Sequence, residues 1–121
     1  MGTPIDGLDY NLIMQPDPRQ SIEAELKNAE RARLNGNEGR ARVCARRAAG
    51  IAARNFLSRH GVQARNGSAY ETLKMLTTYP DLAPELKSAA VHLTTQVTEE
   101  FTLPGNIDLI VEAQNLIGGL G

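Results

Sequence analysis

The amino-acid sequence predicts an all-α fold, an up-and-down four-helix bundle with an additional short helix. Three observations carry this expectation. Apolar residues recur at three- and four-residue intervals through most of the chain, capping residues stand where these runs begin, and Gly or Pro stands where they end. No stretch reads as a strand, and even the β-branched run Val91-His92-Leu93-Thr94-Thr95-Gln96-Val97 keeps helical apolar spacing. Short connections between consecutive helices favour antiparallel neighbours.

Residues 1–16 place Pro4, Gly7 and Pro16 around an apolar patch of Tyr10, Leu12, Ile13 and Met14, and read as an N-terminal arm. Residues 17–121 read as one helical-bundle domain. Asp17 is an N-cap with Pro18 at the first helical position, and opens a helix over about 18–35. Ile22, Leu26, Ala29 and Arg33 set its stripe, which Ala32 and Leu34 widen. Gly36 suits the left-handed residue that ends a helix, and Asn37 caps the next one at once. That second helix, about 38–60, has no Pro and six alanines, which favours helix by propensity alone. Ala41, Ala45, Ala48, Ala52 and Phe56 fall on one face, with Cys44 and Ala49 at its borders, so this face is expected to turn inward.

Arg59-His60-Gly61 ends the second helix, with cations at the negative end of the helix dipole. Ser68 and Glu71 form a capping box for a short third helix carrying Tyr70, Leu73 and Leu76, which stops near Tyr79-Pro80. Asp81 and Pro84 open a fourth helix, where Leu86, Ala89 or Ala90, Leu93 and Val97 repeat until Phe101-Thr102-Leu103-Pro104 breaks it. Asn106 or Asp108 starts a fifth, with Ile110, Ala113, Leu116 and Ile117 on its apolar side and Gly118, Gly119 and Gly121 fraying its end.

Composition narrows the function classes. One Cys among 121 residues forbids an internal disulfide and removes Cys-based zinc sites. No apolar run approaches the length of a membrane helix, and the N-terminus lacks a secretory signal pattern, so a soluble, cytoplasmic protein is expected. Met1-Gly2 begins like a myristoylation site, but Asp6 stands where Ser or Thr is needed. No phosphate loop, nucleophile elbow or metal-binding His-Glu pair occurs, and no cofactor or metal is implied.

The net charge of −1 hides an asymmetry. Nine arginines and a single acid, Glu38, lie between Arg31 and Arg65, a segment of +8 inside a remainder of −9. Arg40, Arg47 and Arg54 recur every seven residues, with Arg42 and Arg46 on the adjoining flank. A solvated face normally mixes signs and uses Lys; an all-Arg row suits phosphate or carboxylate recognition. With five aromatic residues in the chain, nucleic-acid contact is expected at backbone phosphates rather than bases. Val43, Gly50 and Leu57 share the seven-residue period and lie among the arginines, as a seam buried within the chain, a homodimer contact, or an exposed row. Cys44 is expected as a small buried hydrophobe and His92 as a satisfied helical histidine.

An Ala-rich helix ending in a bulky residue pair and Gly, Arg47-Ala48-Ala49-Gly50-Ile51-Ala52-Ala53-Arg54-Asn55-Phe56-Leu57-Ser58-Arg59-His60-Gly61, resembles the second helix of HEPN domains. The preceding Ala-containing helix, the short third helix and the Phe101 to Pro104 ending of the fourth fit the same layout, over about residues 18–117. The resemblance implies one of two activities. HEPN domains include nucleotidyltransferase partner domains with no demonstrated chemistry, and ribonucleases that use an Arg, four to six residues, then a His. Arg54 and His60 satisfy that spacing, although the family's nucleases usually carry the motif in a later helix. Six positions of helix set the two about 120° apart, so convergence would need a second subunit. The first expectation is therefore a dimeric, non-enzymatic HEPN-like module binding nucleotide, RNA or a protein partner, such as a nucleotidyltransferase-type protein, through its arginines. The alternatives are a metal-independent, toxin-like ribonuclease using Arg54 and His60, and an interaction module meeting an acidic protein.

Overall fold

The computed structural model describes residues 17–64, 67–95 and 107–121; the arm over 1–16 and the segment Phe101 to Pro104 lie outside them. Five helices and no strand occur among the described residues: α1 (Pro18–Leu34), α2 (Glu38–Arg59), α3 (Ala69–Thr77), α4 (Pro84–Leu93) and α5 (Leu109–Leu120). The protein is all-α. None of these helices is long and apolar enough to cross a membrane.

Local chemistry places the ends. The Asp17 carboxylate accepts from the Arg19 N–H at 3.2 Å, with Pro18 in the first turn of α1. Gly36, at φ 78°, takes the left-handed turn that lets the Asn37 N–H reach back to the Ala32 carbonyl at 2.8 Å. The Asn37 side chain then caps α2 by accepting from the Arg40 N–H at 3.1 Å. This tight link folds α1 and α2 into a hairpin. The expected capping box of α3 is present, with Ser68 Oγ accepting from the Glu71 N–H at 3.2 Å and the Ser68 N–H donating to Glu71 Oε1 at 3.4 Å. Asp108 caps α5, accepting from the N–H groups of Ile110 at 3.0 Å and Val111 at 3.4 Å.

The core forms around α2, which packs against α1, α3 and α5, while α4 bridges α3 and α5. Ala41, Ala45, Ala48 and Ala52 are buried as expected, but burial extends further round to Cys44, Ala49, Gly50, Ala53 and Leu57. A helix with neighbours on about two-thirds of its circumference needs small residues nearly all round, which explains its alanine content. Gly50 shows how close the approach is: a Cβ there would lie 2.7 Å from Ala69 Cβ and 2.9 Å from Ala69 Cα. Larger side chains from the surrounding helices, Leu73, Leu76, Leu93, Leu109 and Leu116, fill the remaining volume.

Three expectations are corrected. Leu34 does not widen the buried stripe of α1; at the last helical position it is 86% exposed. The fourth helix stops at Leu93, and Val97, which the apolar spacing assigns to it, lies outside the described residues. There the Thr94 and Thr95 hydroxyls donate to the Val91 carbonyl, both at 2.9 Å, satisfying the turn that would otherwise continue the helix. Gly118 and Gly119 do not fray α5, because Leu120 is buried and draws the helix to the end of the chain.

Candidate functional site

The arginines of the +8 segment divide by what their guanidinium groups hold. Arg33 at the end of α1 donates to Glu38 Oε2 at 2.6 Å and to Asp108 Oδ2 at 3.0 Å, tying together the ends of α1, α2 and α5. The hydrogen bond from Arg33 holds the Glu38 carboxyl below its usual range. At Asp108, burial opposes ionisation, but Arg33 and the Val111 and Ile110 N–H groups outweigh it and the pKa is again lowered. Arg33 itself is raised, chiefly by its hydrogen bond to Glu38.

Arg46 reaches the end of α4, where Nε donates to the Leu93 carbonyl at 2.7 Å and Nη2 to the Thr95 carbonyl at 3.1 Å. Those oxygens lack intrahelical partners, and a cation is favoured at a helix C-terminus. Burial, then the neighbouring Arg42, lower the Arg46 pKa. Arg59 does the same for α5 through the Leu120 carbonyl at 3.1 Å. Arg54 Nη2 donates to the Gly67 carbonyl at 2.9 Å and to Oγ1 of the buried Thr72 at 3.1 Å, pinning the start of α3.

Arg40, Arg42 and Arg47 form no side-chain hydrogen bond or ion pair with the described residues. Arg40 and Arg47 are exposed one above the other on the solvent-facing third of α2, with Val43, 38% exposed, on the same side. The other seam residues, Gly50 and Leu57, are buried inside the chain.

A groove of about 610 Å³ follows this face of α2. Arg47, Ile51, Arg54 and Ser58 form its floor, Pro18 and Glu25 of α1 one wall, and Ala69 of α3 the other. Gly50 is what allows Ala69 to stand so close. Sequence spacing supplied the arginine row, but neither the groove nor Glu25, Ile51 and Ser58 as its lining; the seven-residue step from Ile51 to Ser58 parallels the arginines and was the available signal.

Arg54 and His60 point into different surroundings. Arg54 lines the groove, whereas the His60 ring lies on Phe56, centroids 4.1 Å apart, with Tyr79 at 5.7 Å. His60 Nδ1 donates to the Phe56 carbonyl at 2.8 Å, leaving Nε2 as the remaining ring nitrogen on an exposed side chain. His60 also occupies the C-cap of α2, and Gly61 follows at φ 77°. His92 is half-buried with Nδ1 3.3 Å from Glu112 Oε1, close enough for an ion pair when protonated but not aligned as a hydrogen bond. Cys44 is buried. No group of three or more His, Cys, Asp or Glu with metal-binding geometry occurs among the described residues. No protein-family model, curated protein or solved structure matches the chain.

Proposed function

We propose that this chain is a non-enzymatic, HEPN-like helical bundle, acting as a dimer, that binds anionic partners through the arginines of α2. Nucleotide or RNA phosphates and acidic protein surfaces, including a nucleotidyltransferase-type partner, are the chemistries this row suits. One observation carries the reading. Arg33, Arg46, Arg54 and Arg59 use donors inside the fold, while Arg40, Arg42 and Arg47 have none so engaged among the described residues. Arg40 and Arg47 are exposed along one side of α2, and Arg42 is half-buried on another, so an anion meets the first two with little reorganisation of the backbone. Val43, apolar and exposed between Arg40 and Arg47, is the natural contact for a second copy.

Fluorescence anisotropy with labelled single-stranded RNA and with ATP tests the reading. Binding should weaken as salt rises and weaken further in Arg40→Ala/Arg47→Ala, with the RNA intact afterwards. RNA cleavage that persists in EDTA and disappears in His60→Ala would instead establish the metal-independent ribonuclease that the Arg54–His60 spacing suggests. Affinity unchanged by Arg40→Ala/Arg47→Ala would remove the arginine row from the account.

A further inference from the structure

The groove beside the arginine row has a composition that a phosphate chain does not use well. Its floor mixes Arg47 with apolar Ile51, its walls add Pro18 and Ala69, and Glu25 places a carboxylate on one side. A run of phosphates laid along it would leave Ile51, Pro18 and Ala69 without apolar contact, and among the described residues no aromatic ring lines it to stack a base. A carboxylate followed by an apolar side chain meets a complementary partner at each point, Arg47 for the first and Ile51 with its walls for the second. From Arg47 to Ser58 the floor runs about 16 Å at 1.5 Å per residue, the length of three turns of a docked helix. The +8 segment surrounding it adds long-range attraction for an acidic chain.

From these features we infer that the groove between α1 and α3 seats an acidic amphipathic segment of a protein partner, with a carboxylate on Arg47 and apolar side chains over Ile51. The inference rests on the anion-binding reading of α2 and specifies the partner for that face. Arg54 contributes its charge to the floor while staying bound to Gly67 and Thr72, so the groove is held open before the partner arrives. Recognition is of the helix-in-groove kind, in which apolar anchors give affinity and flanking charges give orientation and rate.

A fluorescein-labelled peptide of about twelve residues, with Leu at helical spacing and Glu elsewhere, is titrated against the wild-type chain and against Arg47→Ala, Ile51→Ser and Ser58→Trp. Ser58 is exposed, so Ser58→Trp obstructs the groove without disturbing the core and remains informative if Ile51→Ser is unstable. Each variant is expected to weaken peptide binding about tenfold or more, and single-stranded RNA of equal charge is expected to bind the wild type less tightly than the peptide. Peptide affinity unchanged by Ser58→Trp, or RNA that binds more tightly than the peptide, overturns the inference and leaves the arginine row as an anion site. Absence of binding by both ligands at low salt removes the inference and the reading beneath it together.

Discussion

Replacing Gly50 with alanine isolates the seating of α3 on α2, which shapes one wall of the groove. In an open mid-helix position the change stabilises a protein by about 1 kcal/mol, because alanine is the better helix former. At Gly50 the added Cβ would stand 2.7 Å from Ala69 Cβ and 2.9 Å from Ala69 Cα. Both distances lie about 1 Å inside the optimum for carbon pairs. One of the two atoms is backbone, so no rotamer change relieves the contact and α3 must back away. That displacement loosens Leu73 and Leu76 and lengthens the Arg54 bonds to Gly67 and Thr72. Overpacking costs about 1–3 kcal/mol and these losses add to it, so the net effect after the propensity gain is a destabilisation of about 1–2 kcal/mol. For a domain of this size that lowers Tm by about 4–8 °C. Gly118→Ala is the control, since nothing lies within 4 Å of a Cβ there, and Tm should stay level or rise slightly. Thermal melts followed by circular dichroism make the comparison. Should Gly50→Ala melt at or above the wild type, α3 is not seated on α2 as described, and the groove loses that wall.

Arg33→Ala tests the junction of α1, α2 and α5. Glu38 and Asp108 have lowered pKa values in the folded chain, so the stability they contribute is fully present above about pH 5 and lost as pH falls through those lowered values. The variant should lose about 1 kcal/mol or less at pH 7, because the pair members are more than a third exposed. Its melting curve should converge on that of the wild type near pH 2; a gap of constant size would contradict the pairing. Arg46→Leu should cost about 1–2 kcal/mol, since it strips donors from the Leu93 and Thr95 carbonyls, while Arg47→Ala should stay within about 0.5 kcal/mol. Equal effects in chemical denaturation would erase the division between structural and free arginines. Val43→Glu should shift the chain from dimer to monomer in sedimentation velocity without lowering Tm, and a monomeric wild type would dispose of the dimer.

The helix order was legible because its signals are local. Asp17-Pro18, Gly36-Asn37, the Ser68 and Glu71 pair, and Asp108 each satisfy backbone groups within their own turn, so a reader of the sequence meets the same chemistry as the chain. Where helices end, and which arginines are free, also depends on burial and on partners distant in sequence. Helical spacing continues past Leu93, yet α4 ends there because the threonine hydroxyls and Arg46, contributed by another helix, take up its terminal carbonyls. Gly118 and Gly119 remain helical because burial of Leu120 outweighs their poor propensity. The arginine row was visible as a period of seven, but the sequence could not separate Arg46 and Arg54, held by carbonyls 47 and 13 residues away, from Arg40 and Arg47. The groove was invisible for the same reason, being formed by three helices of which one supplies only Ala69 to the lining.

Whether the free arginines of α2 form an anion-binding face is read from the salt dependence of RNA binding. Each phosphate neutralised on a single strand contributes about −0.7 to the slope of log K against log salt. Arg40→Ala/Arg47→Ala should make this slope shallower by about 1.4, with Tm nearly unchanged. A variant that retains the full wild-type slope would place the anion contacts elsewhere and contradict an anion-binding face on α2.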